Sequence, residues 1–415
     1  DHRYAPGTGA RTYVLDAPGL FNRPGNPYLG PNGRDWPDNG ARYAALSWVA
    51  ASFAGHGLSA DPLWRPDVIH GHDWQTALAP AYLKLRPDRF AATASVLTIH
   101  NIAYQGQFPA SMLGYAGLPD WSFNPEGVEY YGALGFLKAG CRYADRLTTV
   151  SPTYAHEIQT DEHGMGLQGL LAARSDALTG VLNGVDGDVW NPAADPLLPA
   201  CYDADDVSGK AVCKTALQAE LGLDGEALAP LACLVSRLTW HKGLDLVVAA
   251  AEDWIGRGGQ LAVLGTGEPG LEAAFRDLAR RHPGRAATHI GYDEGMSHRL
   301  MAGSDLILVP SRSEPCGLTQ LYGLRYGTLP LVRRTGGLAD TVVDANAAAL
   351  NDGSATGFQF VASNAQELTW RLRAALGLYR RPDVWSALRR RAMTRDFGWT
   401  GPAREYAALY AGLVG

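Results

Sequence analysis

The sequence predicts an α/β protein built as two doubly wound domains. Three observations predict it. The chain has 415 residues, and one hydrophobic core rarely grows past about 250–300 residues. Short apolar runs that end in turns or small residues alternate with helical patterns, in two separate series. The residues suited to chemistry fall just after the apolar runs, where open α/β sheets bind ligands.

The first series begins early. "TYVLDAP" reads as a strand already inside a domain. "PDVIHGHDW" is a strand that leads into the helical "QTALAPAYLKL". "ASVLTIHN" is the next strand, and "RLTTVSP" leads into the helix "TYAHEIQT". The Gly-, Pro- and aromatic-rich region Asn101 to Pro125 fits no regular element and reads as a loop beside the sheet. "VLNGVDGDVWNPAADPLLPACYDADD" is rich in Gly, Pro, Asn and Asp and reads as the interdomain connection.

A second series follows. "APLACLVSRL", "GQLAVLGTG", "AATHIGY", "DLILVPS" and "TLPLVRR" are strands. "GLDLVVAAAEDWIGRG", "GLEAAFRDLARRH", "HRLMAGS" and "GLTQLYGLRYG" are helices between them, and "TGGLADTVVD" continues the pattern. "RRRAMTRDFGWTGPAREYAALYAGL" reads as helix, turn, helix. The expected boundaries are 1–180 for the first domain, 181–392 for the second and 393–415 for a helical tail that crosses back to the first.

Composition narrows the function classes. Apolar residues make up 46% and charged residues 19%, an ordinary globular mix. The formal charge is -6 with no basic block, which argues against a nucleic-acid surface. Cys141, Cys201, Cys213, Cys233 and Cys316 are scattered and odd in number, against both a disulfide framework and a structural zinc site. A reducing, cytoplasmic compartment is expected. No apolar run is long enough to span a bilayer.

Glu314 lies in "PSRSEPCGLTQ", between a strand and a helix. A carboxylate there could grip sugar hydroxyls or simply cap the helix. Gly317, Leu318 and Thr319 would offer backbone N–H groups to an anion. Cys316 stands alone, as packing rather than as an activated nucleophile. In "SRLTWHKGLDL", Arg237 offers a planar fork and Lys242 a point charge, a pair suited to a diphosphate or, blandly, to a solvated surface. "VLGTGEP" supplies Gly265 and Gly267, too few glycines for a dinucleotide fingerprint but enough for a close backbone turn.

In the first series, "HGHDW" holds His70, His72 and Asp73. A metal site lacks an obvious third ligand, and Asp73 is the better candidate for catalysis or acceptor binding. "TIHNIAYQG" puts His100 and Asn101 at another strand end, where both can bond hydroxyls or fill a core. Tyr28, Trp36, Tyr104, Trp121, Tyr130 and Tyr131 lie in glycine-rich loops and could stack on sugar rings. No Gly-x-Ser-x-Gly elbow or His-Glu-x-x-His element occurs.

Together, "HGHDWQTAL", "TIHNIAYQGQF", "VLNGVDGDVWNP", "VSRLTWHKGLDL", "LGTGEP" and "PSRSEPCGLTQLYGLRYGTLPLVRRTGGLADTV" resemble the bacterial glycogen synthases of the starch synthase family, glycosyltransferase family 5. The resemblance runs from about Pro24 to the C-terminus. It implies the GT-B fold, with two Rossmann-like domains facing across a cleft. It implies transfer of glucose from ADP-glucose to the non-reducing 4-hydroxyl of glycogen or another α-1,4-glucan, with retention of configuration and without a metal or other cofactor. The domain over 1–180 would serve the acceptor and that over 181–392 the nucleotide sugar.

The resemblance also assigns roles. Arg237 and Lys242 would hold the diphosphate, and Glu314 the glucose hydroxyls. Cys316, Gly317 and Leu318 would present backbone to the sugar, with Thr319 at the phosphate. His100 would bond the 6-hydroxyl beside Asn101. Asp73 would lie toward the acceptor, while Gly265, Gly267 and Tyr292 join the substrate-binding set. Tyr322 stands where related transferases often carry a second, ribose-binding acid. The family's opening K-T-G-G-L loop is absent near residue 1, so the chain is expected to lack an upstream segment. The alternatives are an inactive glucan-binding homologue or fragment, another retaining GT-B transferase and a nicotinamide oxidoreductase. Preference for ADP- over UDP-glucose and assembly as a homo-oligomer are left open by the residues.

Overall fold

The structure is a computed structural model that describes the backbone of residues 2–4 and residues 11–57, 63–90 and 93–415 in full. The opening stretch, on which the expectation of a missing start rests, lies partly outside the described residues. The chain divides into two compact units. Unit 1 takes residues up to Thr149, Ala155–Gly180 and Tyr406–Gly415, and unit 2 takes Val150–Tyr154 and Val181–Glu405.

In unit 1, β1 (His2–Tyr4) and β2 (Arg11–Tyr13) form an antiparallel pair, and β2 is exposed along its length. The sheet that matters begins with β3 (Val68–His72) and β4 (Ala94–Ile99), which run parallel. All of β4 after Ala94 is buried, and a strand covered on both faces reads as one apolar run. β5 (Gln107–Pro109), β6 (Glu129–Tyr130) and β7 (Ala133–Gly135) make a small antiparallel sheet in the order β5-β7-β6. Together with the helix Met112–Tyr115 and the 3₁₀ turn Asp120–Ser122, β5 gives structure to a region read from the sequence as loop. Elements of three or four residues are too short to show a period, and β5 pairs only with a distant strand. β8 (Arg146–Thr149) and β9 (Leu178–Gly180) complete the parallel order β3-β4-β8-β9.

Unit 2 carries β10 (Leu231–Val235), β11 (Gln260–Gly265), β12 (Ala286–Ile290), β13 (Leu306–Val309), β14 (Leu329–Arg333) and β15 (Phe358–Phe360). Every pairing is parallel, in the order β12-β11-β10-β13-β14-β15. The order reverses between β10 and β13, the switch point where the loops leaving the two strands part to opposite faces and open a crevice. Helices Leu244–Gly256, Pro269–Arg281, Glu294–Gly303 and Thr319–Arg325 make the crossovers.

The segment after Val181, expected to connect the domains, packs into the unit 2 core instead. Trp190 and Tyr202 are buried there, and the Tyr202 hydroxyl donates to the Tyr326 carbonyl over 2.8 Å. Its aspartates organise the turns: Asp195 Oδ1 accepts from the Leu197 N–H, and Asp203 Oδ1 from those of Asp205 and Asp206. The final helix, Thr400–Val414, belongs to unit 1 from Tyr406 onward. Among the described residues no helix is long and apolar enough to cross a membrane.

Candidate active site

The candidates fall into two groups, one in each unit. In unit 2, Lys242 and Glu314 leave the two strands that flank the switch point, β10 and β13. The Lys242 ammonium donates to Glu314 Oε2 over 2.6 Å, and the Ser311 hydroxyl donates to the same oxygen over 2.8 Å. The Glu314 side chain is only 10% exposed, so the cation and hydroxyl offset much of the cost of burying its charge. Lys242 ends a 3₁₀ turn, Trp240–Lys242, and Gly243 follows in the left-handed region at φ 67°. A Cβ at Gly243 would lie 2.1 Å from the Pro310 carbonyl oxygen, so only glycine lets the two strand exits approach this closely.

Arg237 is exposed, and among the described residues its guanidinium has no hydrogen-bond or ion-pair partner. Thr319 opens the helix Thr319–Arg325, and Leu318 precedes it as a half-exposed N-cap without a side-chain cap. Gly317 has φ 73°. Cys316 is buried, and burial pushes its thiol up to about 11, which makes it a packing residue at neutral pH. Gly265 and Gly267 are explained by backbone contact. Cβ atoms there would meet the Ser236 and Leu238 carbonyls at 2.0 and 2.3 Å. Tyr292 is 86% exposed and reaches Glu294 over 3.4 Å.

In unit 1, the ends of β3 and β4 bring Asp73, His100 and Asn101 together. Asp73 sits at φ 55°, unusual for a residue with a side chain. Its Oδ1 accepts from the His100 N–H over 2.6 Å and from the Asn101 N–H over 3.4 Å. Burial raises the Asp73 carboxyl above its ordinary range, and the amide of His100 partly opposes that rise. Asn101 Oδ1 accepts from the Ala103 N–H and holds the turn that follows.

His72, read only as an improbable metal ligand, stands 3.0 Å from His100, Nδ1 to Nε2. One nitrogen donates and the other accepts, which ties the two tautomers together. His72 is exposed as a residue, yet the protein atoms around its ring and then His100 lower its pKa. His70 stacks on His72 at 4.4 Å. Both its nitrogens are engaged, Nδ1 with the Tyr410 hydroxyl and Nε2 with the Thr98 hydroxyl, each at 2.6 Å. Among the described residues no group of three His, Cys, Asp or Glu could hold a metal ion.

Sequence reasoning passed over three supports. Ser311 was visible three residues before Glu314, but nothing local said that its hydroxyl turns back. Gly336 and Gly337 read only as part of "TGGLADTVVD"; Cβ atoms there would lie 2.0 Å from the Glu314 and 2.3 Å from the Cys316 carbonyl oxygens, so they back the loop that carries Glu314. Trp190 is stacked between Tyr322, at 3.7 Å, and His298, at 3.8 Å. His298 in turn bonds Asp195 over 2.7 Å. No pattern in the sequence announces that column.

Comparison with known proteins bears on both groups. Residues 2–173 match the family described as starch synthase catalytic domain, and residues 226–390 the family glycosyl transferases group 1. The glycogen synthase of Albidiferax ferrireducens is 53% identical over 98% of this chain and 82% of its own length. That of Rhodopseudomonas palustris is 53% identical over 97% and 82%. The catalytic domain of starch synthase IV from Arabidopsis thaliana, solved bound to ADP and acarbose, superposes with a TM-score of 0.86 at 34% identity, over 96% of this chain and 81% of that one. A sucrose-phosphate synthase from Thermosynechococcus elongatus shares the fold at a TM-score of 0.60 and 18% identity. The two Rossmann-like units are those of the GT-B glycosyltransferases, and the chain belongs to the glycogen and starch synthase family of glycosyltransferases.

Proposed function

We propose that this protein is a glycogen synthase that moves glucose from ADP-glucose to the non-reducing 4-hydroxyl of an α-1,4-glucan with retention of configuration. The single observation that carries the assignment of residues is the Lys242–Glu314 pair at the switch point of unit 2, 2.6 Å apart; Arg237 is exposed on the same loop as Lys242. A carboxylate with one oxygen occupied and one to offer suits sugar hydroxyls. Two cations on one loop suit a diphosphate.

The reaction breaks the bond from glucose C1 to the phosphate oxygen, and the bonding electrons leave with ADP. Negative charge grows on that oxygen only as the bond breaks. Lys242 and Arg237 would stabilise it there, and so lower the barrier rather than merely tighten binding. The acceptor 4-oxygen then bonds to C1. Its proton passes to the departing phosphate oxygen on the same face, which retains the configuration. His100, its tautomer tied to His72, would bond the sugar 6-hydroxyl. Asn101 would stand beside it, with Asp73 toward the acceptor. Gly317, Leu318 and Thr319 would offer amides to the sugar and phosphate, and Tyr292 would lie along the nucleotide. The five unpaired cysteines support a cytoplasmic setting.

The test is glucosyl transfer to glycogen with ADP-glucose and UDP-glucose in parallel. ADP-glucose should be the better donor. Lys242→Ala and Glu314→Gln should each lower kcat by roughly 100- to 1000-fold. No transfer by folded wild-type protein would turn the reading toward a glucan-binding homologue. A glucosyl ester on Asp73 or Glu314, detected by mass spectrometry, would replace same-face substitution with double displacement.

A further inference from the structure

The 3₁₀ turn that carries Lys242 is three residues long. So short a turn does not hold its own place. What it leans on is Arg312, in the loop that leaves β13. The guanidinium binds Asp245 through two parallel bonds of 2.7 Å each. It lies over the Trp240 ring at 4.0 Å from the centroid and donates to the Trp240 carbonyl over 2.6 Å. The Arg312 N–H donates to the His241 carbonyl over 2.9 Å. Its own carbonyl accepts from Arg333, at the end of β14, over 2.6 Å.

One residue thus ties the loops leaving β10, β13 and β14. Two of these loops supply Lys242 and Glu314. An ordinary surface ion pair fixes little. Arg312 differs, because its side chain is only 17% exposed and its fork, its ring contact and its backbone all hold the same turn. Lysine could reproduce the charge but neither the fork nor the stack.

We propose that Arg312 is a positioning residue for the transfer reaction. It fixes the turn Trp240–Lys242 against the Glu314 loop, so that Lys242 can meet the donor diphosphate without carrying its backbone along. The proposal rests on the reading of Lys242 as a diphosphate ligand. Arg312 itself need not touch the substrate.

A double-mutant cycle on the full chain tests it. Arg312→Ala, Arg312→Lys, Lys242→Ala and the Arg312→Ala/Lys242→Ala double variant are compared for kcat, KM for ADP-glucose, and Tm. Misplacing a catalytic group by about 1 Å can cost on the order of 100-fold in rate. Arg312→Ala should therefore lose about 100-fold in kcat with a smaller change in KM, and Arg312→Lys should not restore it. In the Lys242→Ala background the same change should cost under about 3-fold, because its target is gone. Losses that multiply overturn the proposal. So does an Arg312→Ala variant with a lowered Tm but wild-type kcat in its folded fraction. Wild-type kcat in Lys242→Ala marks failure of the diphosphate reading and takes this proposal with it. The same cycle read as ADP affinity by calorimetry needs no turnover, and additive losses there overturn the proposal equally.

Discussion

His70 commits both ring nitrogens inside unit 1, to Thr98 and to Tyr410. Burial, then the neighbouring His72 and His100, push its pKa from the ordinary 6.5 down to about 4. Between those values the unfolded chain binds a proton that the native state refuses. Stability from this residue is therefore full above about pH 6.5 and drains away as pH falls toward 4. Thermal melts at steps from pH 7.5 to 5 should show Tm falling, and His70→Gln should fall less steeply, with His72 leaving a residual slope. Parallel curves for the two proteins would refute the assignment. At this scale the sequence reading named Glu314, Lys242, Arg237, Asp73 and His100 as candidates, because they stand just after strand ends. It could not reach Ser311, His72 as a partner of His100, or Trp190, because their roles depend on which way a side chain turns and on what lies across a loop.

The elements around the unit 2 site are held by backbone packed on backbone. The loop after β14 presses on the loop that carries Glu314. Gly337 donates its N–H to the Glu314 and Pro315 carbonyls over 3.2 and 3.1 Å. Gly336 stands at φ 43°, with the Glu314 carbonyl oxygen 2.0 Å from where a Cβ would be. Neither atom belongs to a flexible side chain, so alanine at 336 must move the Glu314 loop or strain its own backbone. Gly336→Ala should cost roughly 2 kcal/mol in urea unfolding and lower kcat; wild-type values of both would show that the contact is slack. The strands and crossover helices of unit 2 were legible because buried parallel strands read as unbroken apolar runs between helical periods. The short elements between Asn101 and Pro125 were not, since three residues of strand carry no period.

At the scale of the molecule, the two α/β series were legible and the tail was expected to cross back to the first domain, whereas the passage of Val150–Tyr154 into unit 2 was not legible. Thr153 belongs to unit 2 through its hydroxyl and N–H bonds to Asp340, at 2.6 and 2.9 Å. Such membership is set by contacts remote in sequence, which no local pattern reports. The division has a thermodynamic consequence. Among the described residues the hydrophobic core around β10–β15 draws on unit 2 alone, and Arg237 and Lys242, proposed to hold the donor diphosphate, lie in the same unit. A ligand stabilises what it binds by RT ln(1 + [L]/Kd), about 2.7 kcal/mol at 100 times Kd. For a unit of this size that is an upward shift of about 5–10 °C. Calorimetry of the full chain should resolve two transitions, with hydrogen exchange at each stage showing which unit has melted. Saturating ADP should raise the transition of unit 2 by that amount. If ADP leaves unit 2 melting where it did, then Arg237 and Lys242 do not hold the diphosphate, whatever their geometry suggests.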